Sequence, residues 1–306
     1  DLLRIQGYSA VSLLQSIQRS HTVNEIQARR LKLPTLVKAV VDSGAHPTSV
    51  TRIISTVSDT IHEKLISFAI DEIGSPPTAF CFLALGSLGR EEQTLFTDQD
   101  NALVYADPDN ENDQQAYQDY FQELSKRVCN WLNDIGYSFS NSDVIAKNPS
   151  YCKPLSQWKT SFRELVETAT PKTLTETSIL FDFRGICGDF SLKDELHQHI
   201  QQLVFNKPLL AQLMAESALH FKPPIGLFGN IVTKSSGEHQ ETFNIKAAIL
   251  PLVNIARAYA LKHSVFETGT LDRIRDLSDH HTLSEADHTE IHMIYNFLMS
   301  LRLKHQ

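Results

Sequence analysis

From Leu85 to Val104 the chain reads LGSLGREEQTLFTDQDNALV, and this stretch decides the fold. Apolar residues over 79–85 are typical of a buried strand, and Gly86-Ser87 lets the chain turn tightly into a short helix predicted over 88–95. The residues over 99–106 predict a second strand. The stretch therefore predicts a strand, a tight turn, a short helix and another strand in close succession.

The turn at Gly86 and Ser87 predicts a phosphate-binding site. Backbone N–H groups and the helix dipole favour anions at a helix N-terminus, and the Ser87 hydroxyl adds a donor. Arg90, one helical turn further on, either donates to the phosphates or forms a structural ion pair with Glu91, Glu92 or Asp98. Both roles for Arg90 stay open at the level of sequence.

Two acids at the start of the second strand predict a metal site. Side chains two residues apart on a strand point the same way, so Asp98 and Asp100 are expected to converge. Paired carboxylates suit Mg²⁺ or Mn²⁺, since Mg²⁺ takes one or two protein carboxylates together with substrate phosphate oxygens. The nucleotide and metal sites are thus predicted side by side.

Gly-Ser followed, ten residues further on, by Asp-x-Asp resembles the DNA polymerase β-like nucleotidyltransferase superfamily. The longer string GSLGREEQTLFTDQDNALVYADP is similar to the DUF294 nucleotidyltransferases, relatives of the protein-PII uridylyltransferase amino-terminal domain. Other segments that resemble this family are Gly136-Tyr137, Ala146 to Pro149, Phe181 to Arg184, Gly188-Asp189, Asn244 to Lys246, Ala256 to Leu261 and Leu301 to Gln306. The resemblance covers nearly the whole chain.

The resemblance implies a third catalytic carboxylate, because superfamily members usually carry one on a later strand as metal ligand and general base. Asp143 lies near the third predicted strand and is one candidate. Asp182 matches a family segment and is another, although it could equally anchor Arg184 in a buried ion pair. The remaining alternative is that the chain has no third acid.

The resemblance leaves three functional classes open. The first is an enzyme of the EC 2.7.7 type, which moves a nucleoside monophosphate from a nucleoside triphosphate to a hydroxyl acceptor, perhaps on a signalling protein. The second is a catalytically silent nucleotide sensor, which loss of the third acid would favour. The third is a regulatory interaction module in which the acids are idle; an intact Gly-Ser and both acids argue against it.

The expected fold class is α+β, with a small polymerase β-like core flanked by amino-terminal and carboxy-terminal helical bundles. The predicted domains are a helical segment over 1–75, an α/β core over 76–148 and a helical domain over 149–306. Further core elements are predicted as a long helix over 112–134 and a third strand over 136–146. After the third strand the sequence predicts helices, with a loop or hairpin over 231–244.

The composition of the chain limits the classes of partner it could bind and indicates its cellular compartment. The chain has 306 residues, of which 42% are hydrophobic and 21% charged, as in ordinary globular proteins. Its net charge of −8 argues against a broad nucleic-acid surface. The four cysteines form no CxxC pair, and no apolar run reaches the roughly 20 residues that span a bilayer. We expect a cytoplasmic protein, with regulatory modules in a longer chain that begins before Asp1, and a homodimer is one arrangement it could adopt.

Two further features have a structural interpretation beside the functional one. His288 and His292 stand four residues apart on a predicted helix, but without an HExxH arrangement a solvated helix face is favoured over a zinc site. Lys246 and Arg257 match the family pattern and could reach the nucleotide or a partner, although fixing helix packing is favoured for both.

Overall fold

The structure, a computed structural model, describes residues 9–219 and 244–306 and has an α+β fold with a small mixed sheet. The loop or hairpin predicted over 231–244 lies outside the described residues except for Asn244. The chain divides into two compact units, one of Asp1–Glu164 with Asp182–Ile200 and the other of Leu165–Phe181 with Gln201–Gln306. No described helix is long and apolar enough to cross a membrane.

The α-helices of the described residues are α1 Ala10–Gln18, α2 Val23–Arg30, α3 Leu33–Asp42, α4 Pro47–Ile73, α5 Gly86–Gly89, α6 Gln114–Asp134, α7 Leu155–Glu167, α8 Pro171–Thr177, α9 Phe190–Asn206, α10 Leu209–Ala218, α11 Ile245–Lys262, α12 Thr270–Asp279 and α13 Glu285–Lys304. The strands are β1 Phe80–Ala84, β2 Asp98–Gln99, β3 Asn101–Tyr105, β4 Ser138–Phe139, β5 Cys152–Pro154 and β6 Arg184–Gly188.

The amino-terminal helices pack around α4, the longest helix of the first unit. Proline at the first helical position starts α4, and Gly74, with φ of 96°, ends it. Ile54, Ile61 and Leu65 lie buried on this helix, which packs against α1, α3 and α6. The packing gives the sheet a helical support.

The main sheet has four strands in the order β5-β3-β1-β6. Strand β1 runs antiparallel to both β3 and β6, whereas β3 and β5 are parallel. All five residues of β1 and of β3 are buried, because these are the two central strands. Phe82, Leu83 and Leu103 form part of this core.

A separate ribbon carries the first acid. Strands β2 and β4 pair in parallel, with Asp98 opposite Ser138 and Gln99 opposite Phe139. The buried Gln99 amide fixes the ribbon by donating to the carbonyls of Cys129, 3.0 Å away, and Tyr137, 2.8 Å away. The ribbon is therefore tied to the end of α6 by one side chain.

The structure corrects the predicted short helix and third strand. The helix predicted over 88–95 is the single turn α5, and Glu91, with φ of 57°, has a left-handed conformation that cannot continue it. The strand predicted over 136–146 is only β4, because the chain turns after Ser140 and Asp143 adopts φ of 55°. The apolar run over 144–146 is buried without forming a strand.

The prediction of helices alone after residue 148 is also wrong, since β5 and β6 complete the main sheet. Strand β5 has three residues, too few for an alternating pattern. Strand β6 reads RGICG, and its glycines hide the strand signal. Gly188 has φ of 102°, and a Cβ there would lie 2.0 Å from the Phe80 carbonyl oxygen, so the neighbouring strand requires glycine.

Within residues 165–181, 201–219 and 244–306, the second unit is built from helices and their connections. Helix α11 packs against α10, α12 and α13, and two of its residues, Ile249 and Val253, form a core cluster with Tyr295 and Met299. The buried Arg257 guanidinium donates to the Ser178 hydroxyl, 3.0 Å away, and to the Asn254 side-chain oxygen, 2.5 Å away. These contacts agree with a packing role for Arg257.

Candidate nucleotide and metal site

The Gly-Ser turn connects the end of β1 to α5. Gly86 is buried with φ of 56°, a conformation that a β-branched or bulky side chain would strain. Ser87 is half-buried, and its hydroxyl makes no hydrogen bond to any described residue. The first N–H groups of a helix have no acceptor within it, so the turn presents donors outward.

A backbone hydrogen bond joins the turn to the acids. The Leu85 N–H donates to the Asp100 carbonyl oxygen over 2.9 Å. The residue before Gly86 and the second acid are thus in direct contact, although fifteen positions separate them in the sequence. The predicted phosphate and metal sites therefore lie side by side.

Gly89 is required by close packing of the backbone. A Cβ atom there would lie 2.0 Å from the Asp182 carbonyl oxygen and 2.9 Å from that of Ala84. Any side chain at this position would push the turn away from the residues that precede β6. Gly89, the second glycine of the GSLG sequence, therefore allows the turn to pack closely against the backbone of Asp182.

Arg90 is held in a buried ion-pair cluster. Its Nε donates to Glu92 Oε2 at 2.7 Å, and its Nη1 donates to Asp182 Oδ2 at 2.5 Å. The Arg90 side chain is 10% exposed and Asp182 is fully buried. Of the two roles open for Arg90, the structure supports the structural ion pair, and this group of three residues is called the Arg90 cluster below.

The suggested pairing of Asp182 with Arg184 is wrong. Arg184 donates instead to Asp59 Oδ1 on α4, over 2.8 Å, and to the Leu88 carbonyl oxygen at the end of the turn, over 3.2 Å. Burial raises the pKa of Asp59, while the hydrogen bond and the charge of Arg184 oppose that rise. Arg184 therefore fastens α4 to the Gly-Ser turn.

A histidine behind the sheet is also buried. His62 on α4 lies near the rings of Phe82 and Tyr137, and its Nδ1 is 2.7 Å from the Ser58 carbonyl oxygen. Burial lowers the pKa of His62 to about 4, with the Ser58 hydrogen bond opposing this and Arg184 adding to it. The imidazole is neutral at pH 7 and serves packing.

Asp98 and Asp100 differ in their contacts. Asp98 is half-buried, and no described residue pairs with its carboxylate or donates a hydrogen bond to it. Asp100 accepts a hydrogen bond at Oδ1 from the Ser140 hydroxyl, 2.9 Å away. A half-buried carboxylate without a protein partner fits a cation ligand, since burial next to a second acid is otherwise unfavourable.

The two candidates for a third carboxylate lie in other environments. Asp143 is exposed in a turn beyond β4, and its Oδ2 accepts a hydrogen bond from Asn148 at 2.7 Å. Asp182 is engaged by Arg90. Near the two predicted metal ligands, the register of β2 and β4 pairs Ser138 with Asp98, and Ser140 donates to Asp100.

Among residues 9–219 and 244–306, no group of three or more His, Cys, Asp or Glu side chains could hold a metal ion. This observation disfavours a zinc site of that kind, and the rings of His288 and His292 lie 6.0 Å apart on α13. It does not bear on a site of two carboxylates completed by phosphate oxygens, the arrangement common for Mg²⁺.

Sequence reasoning missed Ser140 and two amides that position the acids. Gln99 anchors β2, and Asn101 Oδ1 accepts the Ala146 N–H at 2.8 Å, which holds the chain after β4 against β3. The two amides flank Asp100 in the sequence, so their place in a buried strand was the available signal. No local pattern singles out Ser140.

Two family models match the chain. The model described as "Putative nucleotidyltransferase DUF294" matches residues 31–172, and the one described as "Putative nucleotidyltransferase substrate binding domain" matches residues 208–306. A comparison with curated proteins gives no match. The first match contains the Gly-Ser turn, both acids and Ser140, and the second lies within the helical unit. The chain therefore belongs to the DUF294 family of nucleotidyltransferase-like proteins.

Proposed function

We propose that this protein transfers a nucleoside monophosphate from a nucleoside triphosphate to a hydroxyl acceptor, with Mg²⁺ or Mn²⁺ held by Asp98 and Asp100. One observation carries the proposal: the Asp98 carboxylate has no partner among the described residues, and two residues further on the Asp100 carbonyl accepts the Leu85 N–H beside the Gly-Ser turn. A cation bound there would offset the repulsion between the two acids.

The residues of the turn have separate roles in the proposed reaction. Gly86 lets the backbone approach the phosphates, and the N–H groups of α5 with the Ser87 hydroxyl orient them. When bound, the metal neutralises charge on the phosphates as it develops. The acceptor hydroxyl gives its proton to water as its oxygen bonds to the α-phosphorus, the bond from that phosphorus to the bridging oxygen breaks, and pyrophosphate leaves.

The rest of the chain supplies context for this proposal. The first unit would be a polymerase β-like core supported by an amino-terminal helical bundle. Residues 208–306 would bind the acceptor substrate, as the description of the matching family model suggests. A protein acceptor, a role in signalling, a cytoplasmic location, regulatory modules in a longer chain and a homodimer belong to the same proposal.

A nucleotide sensor is the second candidate, and one observation favours it. Ser138 is the register partner of Asp98 and Ser140 donates to Asp100, whereas Asp143 and Asp182 are engaged by other residues. A site without a third carboxylate lacks the group that would take the proton from the acceptor hydroxyl. Such a site would bind the nucleotide and release no pyrophosphate.

Binding and turnover separate these candidates. Each of the four α-labelled ribonucleoside triphosphates is titrated into the chain with Mg²⁺ and with EDTA, and pyrophosphate release is then followed with a cell extract as the source of hydroxyl acceptors. The test variant is Asp98→Asn with Asp100→Asn. The control is Asp71→Asn with Asp109→Asn, which removes the same charge from two exposed positions.

We expect Mg²⁺-dependent binding of at least one triphosphate and release of pyrophosphate, both lost in the test variant and kept in the control. Metal-dependent binding without release would favour the sensor. If the triphosphate bound equally well without the metal and in the test variant, Asp98 and Asp100 would not form the proposed site.

A further inference from the structure

The segment from the start of β4 to residue 142 carries a serine at every second position, namely Ser138, Ser140 and Ser142. The register of β2 and β4 places Ser138 opposite Asp98, and Ser140 bonds to Asp100. Ser142 Oγ in turn lies 2.9 Å from Ser140 Oγ. Of these three serines, Ser140 donates directly to an acid and Ser142 lies one hydrogen bond further away.

The direction of these hydrogen bonds follows from proton counting. An ionised carboxylate only accepts, so Ser140 donates its single hydroxyl proton to Asp100 over 2.9 Å. Ser140 then has no proton left for Ser142, and Ser142 must donate to Ser140. The result is a directed chain that runs from Ser142 through Ser140 to Oδ1 of Asp100.

We propose that Ser140 is the positioning residue of the metal site, which fixes the rotation of the Asp100 carboxylate before the cation binds. This inference rests on the proposed function. Ser140 is 9% exposed, so water competes poorly for its hydroxyl, and the bond to a charged acceptor is of the stronger kind. Hydrogen-bond partners of metal ligands contribute roughly 10 to 100-fold to metal affinity.

The experiment measures Mn²⁺ affinity by the electron paramagnetic resonance signal of free Mn²⁺, with the metal alone as the probe. Ser140→Ala is compared with Ser140→Thr, which retains a hydroxyl, and with Ser142→Ala. Ser138→Ala is the matched control, because it removes the same hydroxyl from an exposed position of β4 that has no hydrogen bond to either acid. The melting temperature of each variant is measured in parallel.

We expect Ser140→Ala to weaken Mn²⁺ binding about tenfold, Ser142→Ala to weaken it about twofold to threefold, and Ser140→Thr and Ser138→Ala to stay near wild type. A lower melting temperature with unchanged Mn²⁺ affinity in Ser140→Ala would reduce Ser140 to a structural role and overturn the inference. Wild-type protein that binds no Mn²⁺ would overturn both the inference and the proposed function, so the two failures are distinguishable.

Discussion

Two groups of carboxylates lie on either side of the Gly-Ser turn, and their partners differ. In the Arg90 cluster, Glu92 and Asp182 share one guanidinium and are almost fully buried. In the other group, Asp98 has no described partner and Asp100 accepts from a serine. The acids of the Arg90 cluster share a cation within the protein and stabilise the fold, while Asp98 is available to a cation from solution.

This difference has an energetic basis. A buried ion that loses its partner costs several kcal/mol, because neither water nor another charge replaces it. Two neighbouring carboxylates repel each other and add little to the stability of the fold. Neutralising one of them relieves this repulsion. Substitutions in the two groups should therefore have opposite consequences for stability and for binding.

The largest effect is expected when the cation of the Arg90 cluster is removed. Arg90→Met leaves two buried carboxylates facing each other, and we expect the free energy of unfolding to fall by about 3–5 kcal/mol. Arg52→Met is the control, since Arg52 is 53% exposed and forms a surface ion pair with Glu91. Urea unfolding should show a loss of under about 1 kcal/mol for the control. Equal losses in both variants would show that the Arg90 cluster stabilises the fold no more than a surface ion pair does.

A second effect concerns the buried region behind the turn. The pKa of His62 is 6.5 in the unfolded chain and about 4 in the folded protein. The unfolded state therefore binds more protons in this window, so stability falls as the pH is lowered, by up to about 3 kcal/mol. In His62→Gln we expect a shallower loss of stability between pH 6.5 and pH 4.

The control for this prediction is His21→Gln, because the side chain of His21 is exposed. Unfolding free energies measured by denaturant at several pH values should give the wild-type slope for this variant. A His62→Gln variant with the wild-type slope would show that the buried imidazole is not responsible for acid sensitivity.

The smallest effect on stability is expected at the metal site. Asp98→Asn removes a charge that no described residue pairs with, so the free energy of unfolding should change by less than about 0.5 kcal/mol or should rise. Thermal unfolding without divalent metal tests this expectation. A loss comparable to that of Arg90→Met would identify Asp98 as a structural residue.

The parts predicted from sequence are those with a local cause. A glycine with positive φ followed by serine comes after β1, Asp98 begins β2, and Asp100 lies directly before β3. These features need only a few neighbouring residues to be recognised. The turn, the long helix α6 and the α+β class were all predicted from local features of this kind.

The parts that sequence did not predict depend on distant contacts. Arg90 meets Asp182 across 92 positions, and Ser140 meets Asp100 across 40. Strand β6 is defined by its pairing with β1 and not by its own composition, which includes two glycines. Sequence could therefore identify the two acids, but it could not show which acids had a partner.

The most direct measurement is calorimetric titration of ATP, GTP, CTP and UTP, each with Mg²⁺, into three proteins below their melting temperatures. These are the wild type, Asp98→Asn with Asp100→Asn, and Asp182→Asn. We predict that one triphosphate binds the wild type, that the double substitution abolishes binding, and that Asp182→Asn leaves the Kd within about threefold, a difference under 1 kcal/mol. Binding that survives the double substitution, or that is lost only in Asp182→Asn, would contradict the division between metal-binding and structural acids.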